Sequence, residues 1–291
     1  MLSKTVKQRM AAALSIAVCA SLTAGFAVNA NAAAKKATWV LVKSSTVHKA
    51  SNATETSSTT YKYDKNGWLK QREYKGYSTN EKTVFTRDKT GLEKTIKRYT
   101  DGKLDEITQN TIKNGNITKG VVYTFDDNHK KIKFETITYT YKKNKLHKVL
   151  TKWNNGMVSK DILYPNGNLK SSVLKDKGNT TTSKHNKKGD MVSTTSVYKQ
   201  DGKVFSTYDI TRSNKYDKKG NTVKIVEKAK NTDASGKVEK ERTIYQYSYK
   251  YDKAGNIKQE VCKITHSYGD GTSSSTTRTT NNTYKKIMVT Q

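Results

Sequence analysis

Tyr251-Asp252-Lys253-Ala254-Gly255-Asn256-Ile257 decides how this chain folds, because close copies stand at Tyr63-Asp64-Lys65-Asn66-Gly67-Trp68-Leu69 and at Tyr216-Asp217-Lys218-Lys219-Gly220-Asn221-Thr222. In each copy an aromatic residue ends one extended segment and an apolar or β-branched residue begins the next. Between them Asp bonds to nearby backbone N–H groups, and Gly accepts the positive φ that a tight reversal needs. The unit reads as a β-hairpin.

Turn punctuation of the same kind continues along the chain, among other places at Lys89-Thr90-Gly91, Thr100-Asp101-Gly102, Lys113-Asn114-Gly115, Asn154-Asn155-Gly156, Pro165-Asn166-Gly167, Lys188-Gly189-Asp190 and Gln200-Asp201-Gly202. Between turns the apolar residues alternate with polar ones. Tyr245, Tyr247, Tyr249 and Tyr251 oppose Gln246, Ser248 and Lys250, and Ile137, Tyr139 and Tyr141 oppose Thr136, Thr138 and Thr140. A period of two is the mark of a strand with two unlike faces. The expected fold class is therefore all-β: an antiparallel meander of repeated β-hairpins, forming either an elongated twisted sheet or an open barrel.

Three segments are expected. Residues 1–33 read as a signal peptide: Lys4, Lys7 and Arg9 precede a charge-free apolar run from Ala11 to Val28, and Ala30-Asn31-Ala32 supplies the small-x-small pattern of a cleavage site. Residues 34–59 read as an N-terminal strand and loop: a strand strongest over Thr38 to Lys43, then a Ser/Thr-rich stretch that reads as a strand with a loose loop around Ser51-Asn52-Ala53. Residues 60–291 read as the hairpin-repeat domain.

The formal charge is +30. Removing three basic residues and no acidic ones with the signal leaves +27 (30 minus 3). Such an excess draws the protein toward polyanions. Lysine supplies most of it, and an ammonium is a hydrated point charge rather than a fork for phosphate. The expected partner is an anionic cell-wall polymer or polysaccharide. No nucleic-acid motif is present, and contact with a membrane is expected only through the signal peptide before cleavage. After cleavage Cys262 is the only cysteine, which excludes an internal disulfide and reads as a small buried side chain.

The sequence names no catalytic, cofactor-binding or metal-binding residue. His48, His129, His147, His185 and His266 are isolated and lack metal-ligand spacing. Asp64, Asp217 and Asp252 read as turn formers, not as calcium ligands. Glu135, Glu227, Glu239, Glu241 and Glu260 form the pool from which a hydrolytic carboxylate pair would have to come, since such pairs meet in space and leave no local spacing.

The Tyr63, Tyr216 and Tyr251 copies resemble YD repeats, the tandem hairpin units of Rhs-type and teneurin-type surface proteins. Tyr164-Pro165-Asn166-Gly167-Asn168-Leu169 and Tyr99-Thr100-Asp101-Gly102-Lys103-Leu104 are similar to the shorter MORN-like hairpin. The resemblance implies a repetitive sheet and an extracellular location, and it carries no catalytic residue or cofactor. The expected function is that of a secreted or cell-surface β-repeat protein with a non-enzymatic structural or binding role. The alternative is a hydrolase or toxin-associated module on the same sheet.

Overall fold

In a computed structural model, residues 35–50, 53–76, 78–126 and 129–290 are described. The expected signal peptide lies outside the described residues. Eighteen strands follow one another: β1 (Lys35–Ala50), β2 (Ala53–Tyr63), β3 (Leu69–Lys75), β4 (Asn80–Arg87), β5 (Glu93–Thr100) and β6 (Lys103–Lys113). Then come β7 (Asn116–Phe125), β8 (Lys131–Lys142), β9 (Lys145–Trp153), β10 (Val158–Leu163), β11 (Leu169–Asp176) and β12 (Asn179–His185). The last are β13 (Met191–Gln200), β14 (Lys203–Tyr216), β15 (Thr222–Asp233), β16 (Val238–Tyr251), β17 (Ile257–Ser267) and β18 (Ser273–Thr290).

Each strand pairs antiparallel with the next, and β18 pairs with β1 from Lys35↔Thr290 to Lys49↔Thr277. The meander thus curls into a barrel and closes, removing both sheet edges and the aggregation hazard that edges carry. The Ser/Thr-rich stretch after Lys43 is strand on both sides of residues 51–52: β1 continues to Ala50, and β2 returns from Ala53 in register with it.

Curvature comes from bulges that recur where a hairpin's second strand leaves its turn. The second strand carries an extra residue opposite Lys62/Tyr63, Thr86/Arg87, Thr140/Tyr141, Ile162/Leu163, Lys215/Tyr216 and Lys250/Tyr251, among others. A bulge bends its strand and increases the local twist, and repeated bulges coil a sheet toward closure.

The Tyr-Asp-Lys-x-Gly-Asn motif has a complete hydrogen-bond explanation. Asp252 Oδ1 accepts from the N–H groups of Ala254 and Asn256, each at 2.9 Å. Asn256 Nδ2 donates to Asp252 Oδ2 at 2.9 Å, and Gly255 N–H closes on the Asp252 carbonyl at 3.1 Å with φ 84°. Asp217 and Asn221 repeat the pattern. The hydrogen bonds from Asn256 and from the backbone hold the Asp252 carboxyl below its ordinary range.

These three turns lie at the same end of the barrel. Tyr63 donates to the Leu41 carbonyl at 2.9 Å, while the tyrosines of the other two copies dock onto the preceding turn of this end: Asn221 Nδ2 donates to Tyr251 Oη at 2.7 Å, and Lys219 Nζ sits 3.6 Å from the Tyr251 ring centre. Tyr216 donates to Asp190 Oδ2 at 2.5 Å and carries Lys188 Nζ at 3.5 Å from its ring centre. The motif therefore spans two hairpins, one supplying the ring and the other the amide and the cation.

Two glycines of this end separate backbone strain from packing. Gly91 and Gly255 have φ of 87° and 84°, but a Cβ on Gly91 would lie 2.5 Å from the Trp68 indole, whereas one on Gly255 would meet nothing within 4 Å. Gly255→Ala should cost about 1–2 kcal/mol, the strain of a left-handed alanine. Gly91→Ala should cost clearly more in denaturant titration, because Trp68 must move. Equal losses would show that the indole yields freely.

Candidate functional site: an acidic, tyrosine-lined interior

Residues facing each other across an antiparallel ladder share a face, so the registers sort every strand residue to one side of the wall. The most deeply buried side chains, Thr83, Thr108, Val122, Thr151, Ser196, Ala229, Thr243 and Cys262, all fall on one side. On that side burial pushes the Tyr139 phenol of β8 up, and the charges of Tyr141, Glu135 and, from β5, Glu93 raise it further. Side chains converge in this way on a concave surface, which makes this the barrel interior.

Charge is sorted radially. Lys97, Lys119, Lys148, Lys152, Lys160, Lys175, Lys224, Lys228 and Lys230 point outward, interleaved with threonine, serine and valine. Inside stand Arg72, Arg87, Arg98, Arg212 and Arg278, and every glutamate except Glu73. Four of these arginines pair with inner carboxylates: Arg87–Glu93 at 2.9 Å, Arg98–Glu106 at 3.0 Å, Arg212–Glu227 at 2.5 Å and Arg278–Glu260 at 3.4 Å. A planar fork suits crowded pairing, while ammonium groups stay hydrated outside. Inner acids outnumber inner arginines, so the interior is acidic beneath a basic wall.

The five glutamates named as a possible hydrolytic pool meet different fates. Glu227 and Glu260 are neutralised by their arginines, and Glu239 pairs with Lys237 at 3.0 Å. Glu241 is in no ion pair among the described residues, and Glu135 stands apart on β8 between Val122 and Trp153. Burial, reinforced by the nearby charge of Glu106, pushes the Glu135 carboxyl up to about 7. Glu135 can thus hold a proton near neutrality, but two recesses of the wall lie elsewhere. One is lined by Thr46, His48, Glu55, Ser57 and Tyr74, and the other runs from Tyr198 to Glu241.

The tyrosine stripe of β16 faces inward. Tyr247 and Tyr249 stack with ring centres 6.4 Å apart and planes within 5°. Burial raises both phenols, that of Tyr249 to about 12. Cys262 lies opposite Tyr247, fully buried, with its thiol pushed up by burial. A neutral thiol without access is no nucleophile.

Of the histidines, His266 shares a 3.0 Å hydrogen bond with Thr243 Oγ1, and His185 one with the Gly189 carbonyl. His129 sits in a turn at φ 58°. Among the described residues no group of three or more His, Cys, Asp or Glu is disposed to hold a metal ion.

No family model matches the chain, and neither does any curated protein. Among solved structures, a porin-like protein from Bacteroides uniformis is 14% identical, with 84% of this chain and 98% of that one covered at a TM-score of 0.32. A porin-like protein from Bacteroides vulgatus is 12% identical over the same shares at 0.35. The TcdB2-TccC3 structure is 11% identical, with 86% of this chain and 20% of that one covered at 0.18. Superpositions this loose define no shared activity, and the chemistry of the barrel rests on its own residues.

Proposed function

We propose that this is a secreted or cell-surface binding protein without catalysis, held on an anionic polymer of the cell envelope by the outer wall of its barrel. The observation that carries the reading is the radial sorting of charge: lysines line the convex side while glutamates turn inward, so the basic excess of the chain is displayed outside. The signal-like residues 1–33 and the likeness of the Tyr63, Tyr216 and Tyr251 turns to YD repeats of surface proteins support the location. A wall embedded in lipid would need an outward apolar band about 25 Å tall. Lysines at three of the four outward positions of β15 from 224 to 230, Lys224, Lys228 and Lys230, speak against that use.

Binding of this kind is electrostatic and screened by salt. The protein should bind an immobilised phosphate- or sulfate-rich polysaccharide at low ionic strength and elute below about 1 M salt, where the Debye length is near 3 Å. Replacing Lys224, Lys228 and Lys230 by glutamine should lower the salt needed for elution. Retention at about 1 M salt, or an elution point that the triple variant does not move, would overturn the proposal.

A further inference from the structure

The interior holds a second surface of opposite character. Near the end of the barrel away from the Tyr-Asp turns, a cleft of about 310 Å³ is lined by Tyr198, Tyr208, Ala229, Asn231, Glu239 and Glu241. The registers lay it out as two rows across the wall: Tyr208, Asn231 and Glu239 face one another in sequence, and beside them Ala229 faces Glu241. Ala229 is only 7% exposed, and its lone methyl group leaves the floor open where a larger side chain would fill it. Tyr198 keeps 42% of its surface exposed at the mouth, with Phe205 beside it in the same hairpin at 54%.

Two features distinguish this cleft from the rest of the interior. The Tyr198 ring at its mouth is exposed and Tyr208 behind it is half-buried, whereas the tyrosines of the opposite rim are tied down through their hydroxyls. Glu241 has no cationic partner among the described residues, as Glu55, Glu81 and Glu135 have none, but it alone of these lines a recess with an exposed tyrosine ring; Glu93, Glu106, Glu227 and Glu260 each have an arginine. We propose that the cleft binds a ligand bearing an ammonium group on a flat or ring-shaped body, with Tyr198 and Tyr208 as its walls and Glu241 as its counter-charge. A cation is favoured both over an aromatic face and beside a carboxylate. The Tyr208 phenol, raised by burial and then by the charge of Glu241, reports the same negative potential. The inference rests on the reading as a binding protein but not on the lysine wall, so its failure leaves the polyanion experiment standing.

The test uses the full chain and two probes, a glucosamine trimer and its N-acetylated counterpart, with binding followed by tyrosine fluorescence and calorimetry. The amine should bind saturably and at least about tenfold more tightly than the acetylated sugar. Glu241→Gln, at an exposed position, should erase that preference without changing the circular dichroism spectrum. Ala229→Leu should weaken both probes by filling the floor. If Ala229→Leu fails to fold, Glu241→Gln alone decides. Equal binding of the two sugars, no binding of either, or a preference that survives Glu241→Gln would overturn the proposal.

Discussion

Glu135→Gln stabilises the barrel at pH 8 by on the order of 2–3 kcal/mol and leaves its stability near pH 3.5 unchanged. The Glu135 carboxyl titrates near 4.5 when unfolded and about 7 in the barrel, because burial and the charge of Glu106 disfavour its anion. Between those values the native state holds more protons than the unfolded state, so stability falls as pH rises. The penalty is absent below the unfolded value and complete above the folded one. A pKa displacement of this size corresponds to roughly 3 kcal/mol before the coupling to Glu106 is discounted. Glutamine keeps the shape and loses the charge, which flattens the alkaline side of the curve. Thermal unfolding of both proteins from pH 3.5 to 8 measures it; parallel curves would show that the anion is well solvated inside.

The turns were legible in the sequence because their chemistry is local. Asp252 and Gly255 bond within one hairpin, and the register that places the Tyr245 stripe on one face follows from alternation alone. The coupling of Tyr251 to Asn221 and Lys219 was not legible, since it joins two hairpins through the curvature of the rim. The same holds for the acids. Glu135, Glu227, Glu239, Glu241 and Glu260 could be named, but which ones meet an arginine depends on neighbouring strands: Glu227 faces Arg212 across β14, and Glu241 faces only Ala229.

Ring closure was hidden for a physical reason. The stretch from Ser44 to Thr60 has polar residues on both faces, because a wide barrel of this kind offers β1 and β2 a polar interior on one side and solvent on the other. Without an apolar face there is no hydrophobic alternation to mark a strand. The pairing of β1 with β18 is also the most distant in the chain, so no local signal can announce it.

That seam yields the other large effect. Thr280 lies in the middle of β18, opposite Thr46 of β1 on one side and Glu260 of β17 on the other, with Thr46 Oγ1 and Thr280 Oγ1 3.1 Å apart. Its neighbour Thr279 is opposite Val47 and Val261. Successive N–H groups of a strand point to opposite neighbours. Were β18 an edge strand, one of two consecutive residues would direct its N–H to solvent, and proline would be tolerated there. In a closed ring both N–H groups serve a ladder. Thr279→Pro and Thr280→Pro should therefore each destabilise the protein by about 3 kcal/mol or more in denaturant titration. If one of the two stays within about 1 kcal/mol of the native chain while the other collapses, the sheet is open between β18 and β1 in solution. The loss of both carries a further consequence, because a ring opened at this seam exposes two long edges at once. Each proline variant should then associate into larger species on a sizing column at concentrations where the native barrel elutes unchanged.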